Sequence, residues 1–174
     1  LRIQAASLDD CRFCPAGYEY VSKTSPCSVC PGGTYQNDSD SIELHCKLCP
    51  SDTFLSDDKE TESAHDSQED CFACENGWKS QQGSRFCERC PVGKSTVLNV
   101  TTLEKECLAC SSGKYQPSAG SDACLTCPDG RYQPTQGLPY CLPCVPGQFS
   151  DVAEATSCND CPAGYYAADV DKKS

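Results

Sequence analysis

The sequence predicts a small disulfide-rich fold: an elongated array of about nine short, irregular β-hairpin repeats, with little regular secondary structure and no single globular core. Three observations predict it. Cysteine supplies 18 of the 174 residues, the density of a cross-linked secreted chain. Leu, Ile, Val and Phe together supply only 26, too few to offset chain entropy by burial alone. Every cysteine falls in a Cys-x-x-Cys doublet, at 11/14, 27/30, 46/49, 71/74, 87/90, 107/110, 124/127, 141/144 and 158/161.

The chain divides accordingly. Residues 1–10 form a lead-in. Residues 11–70 hold the first repeats and end in an acidic insertion, 51–70. Residues 71–174 hold a second, more regular run. Steps between doublets are 16, 19, 25, 16, 20, 17, 17 and 17 residues, and the step of 25 contains the insertion. Glycine stands three residues past the second cysteine at Gly17, Gly33, Gly77, Gly93, Gly113, Gly130, Gly147 and Gly164, with Asp52 in that place after the third doublet. Both residue types tolerate a left-handed backbone. An aromatic follows two residues later at Tyr35, Phe54, Tyr115, Tyr132, Phe149 and Tyr166, and proline directly follows six of the doublets. Cys-Pro-x-Gly then makes a tight turn, a short extended segment follows, and a polar turn returns the chain to the next doublet. In this reading each aromatic lies over a disulfide as a minimal core, and each unit touches mainly its neighbours.

A ladder of disulfides suits the even 17-residue steps: Cys14–Cys27, Cys30–Cys46, Cys49–Cys71, Cys74–Cys87, Cys90–Cys107, Cys110–Cys124, Cys127–Cys141 and Cys144–Cys158. Each bond closes one hairpin, and a loop of about 15 residues is worth roughly 3 kcal/mol in the chain-entropy model. Cys11 and Cys161 then pair outside the segment. The rival is doublet-to-doublet pairing, such as Cys11–Cys27 with Cys14–Cys30, in modules of two doublets, which calls for alternating long and short steps.

Disulfides place the chain outside the cytosol, extracellular or at the cell surface. Two sequons, at Asn37 and Asn99, are candidate glycosylation sites. Residues 51–70 carry eight acids and one lysine of a chain whose net charge is −11, so most of the acidity is one loop, expected to be a solvated insertion. Such a balance argues against nucleic acid or an anionic membrane as partner. No stretch reaches the ~18 apolar residues of a membrane span, so no membrane insertion is expected within this segment. The chain starts without Met and stops just after a fresh repeat opens with CPAGYY, which reads as a piece of something longer.

The segments CPAGYEY, CPGGTY, CPDGRY and CPAGYY resemble the cysteine-rich repeats of the ephrin-receptor-like class. They are also similar to the small modules of tumour-necrosis-factor-receptor ectodomains. The resemblance runs from Cys11 to Tyr166 and implies an extracellular disulfide-rich repeat. Tumour-necrosis-factor-receptor modules carry extra cysteines between doublets and this chain has none, which argues against a cytokine receptor.

Other cysteine chemistry fits less well. Paired doublets approach zinc-ribbon spacing, but nine is an odd number and the chain is acidic. A thioredoxin-like doublet needs a helix N-terminus, and here Pro and Gly follow. His45 and His65 read as exposed loop residues, and no hydrolytic constellation stands out. Asp38, Asp40, Asp57 and Asp58 supply oxygens without a calcium-loop motif. No enzyme, metal or cofactor is therefore expected. Trp78 is read as packing on its own unit's disulfides; if exposed, it is the best single contact residue. The leading functional expectation is a stiff, stapled rod in a surface coat, a fibre or a filament of the flagellar-hair type. Its partners would be copies of itself or other subunits, in heterologous contacts. The alternative is a receptor or adhesion ectodomain presenting loops to a protein ligand.

Overall fold

The computed structural model describes residues 13–39, 44–57 and 61–167. Eight two-stranded antiparallel sheets account for the strands among them. Strand β1 (Tyr18–Glu19) pairs with β2 (Ser28–Val29), β3 (Thr34–Tyr35) with β4 (Lys47–Leu48), and β5 (Thr53–Phe54) with β6 (Phe72–Ala73). Strand β7 (Trp78–Lys79) pairs with β8 (Glu88–Arg89), and the longer β9 (Lys94–Leu98) with β10 (Lys105–Ala109). Strand β11 (Lys114–Tyr115) pairs with β12 (Leu125–Thr126), β13 (Arg131–Tyr132) with β14 (Leu142–Pro143), and β15 (Gln148–Phe149) with β16 (Asn159–Asp160). Helix among the described residues is limited to two 3-10 turns, Glu62–Ala64 and Gln68–Asp70. The chain is thus a hairpin repeat array with no single core.

The interior of a doublet is the return strand of one hairpin, and its second cysteine opens the next. Disulfides join Cys14–Cys27, Cys30–Cys46, Cys49–Cys71, Cys74–Cys87, Cys90–Cys107, Cys110–Cys124, Cys127–Cys141 and Cys144–Cys158. Their Cα atoms stand 5.4–5.8 Å apart, within ordinary disulfide reach. The second cysteine of each bridged doublet is buried, Cys30, Cys49, Cys90 and Cys127 completely. These sulfurs stand where a larger domain would place apolar side chains. Cys161 is unpaired among the described residues and partly exposed; Cys11 lies outside them.

Two compact units divide the chain: Leu1–Cys74 with Ser80–Cys87, and Glu75–Lys79 with Glu88–Ser174. Within each, the same backbone pattern recurs. The turn glycine's carbonyl accepts from the second cysteine of the next doublet, as in Cys49 N–H to Gly33 and Cys127 N–H to Gly113, both at 2.9 Å. Its N–H donates to the following hairpin, as Gly33 does to Leu55 O and Gly113 to Gln133 O, both at 2.8 Å. Neighbouring hairpins are therefore laced by main-chain bonds as well as by covalent ones.

The repeats also reach beyond their neighbours, contrary to the sequence expectation. Three of the polar turns carry a second glycine four residues before the next doublet, at Gly83, Gly120 and Gly137. In the first unit Gly83 N–H donates to Cys49 O; in the second Gly120 donates to Cys90 O and Gly137 to Cys110 O, all at 2.8–2.9 Å. These tips land on glycines two hairpins back. A Cβ on Gly33 would sit 2.1 Å from the Gly83 carbonyl oxygen, on Gly77 1.9 Å from that of Gly120, and on Gly93 2.0 Å from that of Gly137. Glycine is needed there for space as well as for a positive φ.

A fourth tip docks in the same way without glycine. Glu154 stands where these three have glycine, with φ +64°, and its carbonyl oxygen lies 2.2 Å from where a Cβ on Gly113 would be. A left-handed backbone costs a non-glycine residue roughly 1–2 kcal/mol. The Lys114–Glu154 ion pair at 3.3 Å is solvent-accessible and offsets little of this. Glu154→Gly is therefore expected to stabilise the second unit by about 1 kcal/mol, read as a raised denaturation midpoint.

The aromatic cores are a second correction. Among the aromatics in the repeat position Tyr35 is buried, packed with Cys49, Leu55 and Cys71. Phe54, Tyr115, Tyr132 and Phe149 are only half-buried, and Tyr166 is 86% exposed. The next residue points inward instead, as strand alternation demands: Gln36, Leu55, Gln116, Gln133 and Ser150 are all buried. Gln133 donates from Nε2 to Tyr140 O (2.6 Å) and accepts the Thr135 N–H at Oε1 (3.0 Å). Gln116 does the same with Ala123 O and Ser118 N–H. A hairpin this small has an interior of backbone polar groups, and a carboxamide serves it better than a ring.

Candidate functional site

The described residues of the acidic insertion, 51–57 and 61–70, pack over the hairpin β3–β4. His65 is fully buried, against the expectation of an exposed loop residue. Its Nδ1 lies 2.8 Å from Thr34 O and its Nε2 3.1 Å from Asp57 Oδ2, so each ring nitrogen faces an oxygen. Its carbonyl accepts the Gln36 N–H at 2.8 Å. Tyr35 donates its hydroxyl to Gln68 Oε1 at 3.1 Å. Leu55 supplies the apolar contact with Tyr35 and Cys49. Ser67 starts the turn Gln68–Asp70 with reciprocal caps: its Oγ accepts from Glu69 N–H (3.2 Å), and Asp70 Oδ2 accepts from Ser67 N–H (2.9 Å). A long acidic loop is thus ordered by one histidine, one leucine and one capping box, with Asp66 and Glu69 on its exposed side. Asp40 and Asp58 lie outside the described residues, and among the described ones no three His, Cys, Asp or Glu side chains gather around a possible metal position.

His65→Ala is expected to cost about 2–4 kcal/mol, from a buried void and two abandoned oxygens. Hydrogen exchange should report the loss first at the Gln36 amide, whose acceptor is His65 O.

Trp78, on β7, is half-buried. Its cross-strand partner is Arg89 on β8, whose guanidinium stands 4.6 Å from the ring centroid. This cation–π contact covers one face of the ring, so Trp78 is not a bare anchor. His45 is exposed. Asn37 is exposed, with its Oδ1 accepting from Lys47 Nζ at 2.7 Å. Asn99 sits at the tip of the β9–β10 hairpin, which has the longest strands among the described residues. Around it Val97, Leu98, Val100 and Leu103 are exposed.

A family model described as tyrosine-protein kinase ephrin type A/B receptor-like matches residues 17–65 and 99–137, together half of the chain. The chain belongs to the ephrin-receptor-like family. Both matched segments contain the doublet, the turn glycine and the buried glutamine. Similarity also extends to Sushi, von Willebrand factor type A, EGF and pentraxin domain-containing protein 1 of Mus musculus and of Rattus norvegicus. Each is 35% identical over 85 residues, or 48% of this chain. The matched stretch covers only 2% of those relatives' length. The ephrin-receptor-like repeat is thus an extracellular, disulfide-bonded module, placed outside the cell or on its surface. No helix among the described residues is long and apolar enough to cross a membrane.

The sequence reading missed the buried glutamines and the tip glycines. Both left a signal. Tyr-Gln recurs at 35–36, 115–116 and 132–133, and glycine stands four residues before a doublet at 83, 120 and 137.

Proposed function

We propose that this chain is an extracellular structural module: a stiff, disulfide-stapled rod that works as a component of a surface coat, fibre or flagellar-hair-type filament. The observation that carries the reading is the docking of four tips, at Gly83, Gly120, Gly137 and Glu154, on glycines two hairpins back. A repeat locked to its second neighbour resists bending far better than one tied only to its first. Stability in such arrays is a sum over repeats and their interfaces, so additional interfaces strengthen each unit. The chain would act by contact with protein, through self-association or other subunits, and not by catalysis. Heterologous contacts between copies would propagate it into an open filament.

A second reading is a receptor or adhesion ectodomain. It is favoured by the folded insertion, which holds exposed acids on an ordered surface, and by the receptor-like description of the family. In that case the insertion would meet a basic protein surface.

Electron microscopy of native material under non-reducing conditions separates the two. Regular filaments containing the chain are the expected result. Monodisperse single particles, unchanged with concentration, would remove the filament reading and direct attention to a ligand for the insertion.

A further inference from the structure

We infer that Asn99 carries an N-linked oligosaccharide in the mature protein. The sequence Asn99-Val100-Thr101 has the acceptor pattern, and four structural observations raise it above a chance triplet. It lies at the end of the one hairpin among the described residues whose strands extend beyond two residues. The tip itself is closed by main-chain bonds from Asn99 N–H to Glu104 O (2.9 Å) and from Leu103 N–H to Asn99 O (2.7 Å), which present residues 100–103 to solvent. Val100 is 86% exposed and Leu103 72%, and Asn99 itself is half-buried, so the tip beside the acceptor is open to solvent. The carboxamide is already in an acceptor geometry, with Asn99 Oδ1 accepting the Thr101 N–H at 2.9 Å and the Thr102 N–H at 3.3 Å. That arrangement brings the Thr101 residue back toward the amide.

The chemistry costs the fold nothing. The Asn99 Nδ2 attacks the anomeric carbon of a lipid-pyrophosphate-linked oligosaccharide. The new C–N bond forms as the C–O bond to the pyrophosphate breaks. The pyrophosphate departs with that electron pair, and one amide proton passes to the base of the transferase; no oxidation or reduction occurs. Nδ2 now donates to Glu106 Oε1 at 2.7 Å, and one N–H remains on it after the transfer.

The test is site-specific mapping of the chain secreted from a eukaryotic host. Amidase release of glycans in heavy-oxygen water converts an occupied asparagine to labelled aspartate, which mass spectrometry locates. The expected result is label at Asn99 in most molecules, and its loss in Thr101→Ala. Thr101 is exposed at the tip, so that variant is expected to fold. Unlabelled Asn99 in the secreted wild-type chain, or label at Asn37 alone, would overturn the assignment.

Discussion

Gly93→Ala is expected to destabilise the second unit by about 3–5 kcal/mol, whereas the same change at Gly147 should cost only about 1–2 kcal/mol. The two glycines have nearly the same backbone, with φ +76° and +85°, and the same place in their repeats. They differ in what stands over them. A Cβ on Gly93 would lie 2.0 Å from the Gly137 carbonyl oxygen and 2.6 Å from its carbon, and on Gly147 it would meet nothing within 4 Å among the described residues. The methyl group at Gly93 must push a backbone aside, because no flexible side chain is there to yield. Moving that backbone also strains the Gly137 N–H bond to Cys110 O, 2.8 Å long, worth about 1 kcal/mol. Equilibrium denaturation of both variants separates the steric contribution from the conformational one. Equal losses would mean that the tip does not rest on Gly93.

The second large effect concerns a polar residue. Gln133→Leu preserves volume and removes the only polar atoms of a side chain that is completely buried. The Thr135 N–H and the Tyr140 carbonyl then lose the partners they have at 3.0 and 2.6 Å. Each abandoned backbone group costs about 1–3 kcal/mol, so a loss of about 2–4 kcal/mol is expected. Gln136, exposed in the same turn, provides the control: its replacement by leucine should leave the denaturation midpoint within experimental error. If Gln133→Leu stabilised the chain, the interior of the hairpin would be apolar and the carboxamide incidental.

These two residues show what the sequence made legible. Cysteine spacing announces the hairpins, because a 17-residue step holds two short strands and two turns. The glycine after Cys-Pro is readable from turn chemistry alone. Its second duty is not, because close approach by Gly137 depends on a tip 44 residues further along the chain. The direction of the aromatics was also misread. Tyr115 and Tyr132 look like core residues by composition, yet the strand's alternation gives the inward position to Gln116 and Gln133. In a domain with an apolar interior the ring would have won. Here the interior consists of main-chain amides, and the residue that can both donate and accept takes the place. His65 is the same lesson in the insertion. Eight acids in 20 residues read as a solvated loop, but within it His65 is buried, facing Thr34 O and Asp57. The nature of the partner left no comparable trace, because contact surfaces of repeats are made of ordinary exposed residues.

The most direct measurement is disulfide mapping of the secreted, non-reduced chain by electron-transfer fragmentation after proteolysis. The account predicts bonds that step forward along the chain, Cys110 to Cys124 and Cys127 to Cys141, each closing one hairpin. Finding Cys107 bonded to Cys124 and Cys110 to Cys127 would contradict it. The hairpins would then be joined in pairs, and tips could not reach the glycines two repeats back.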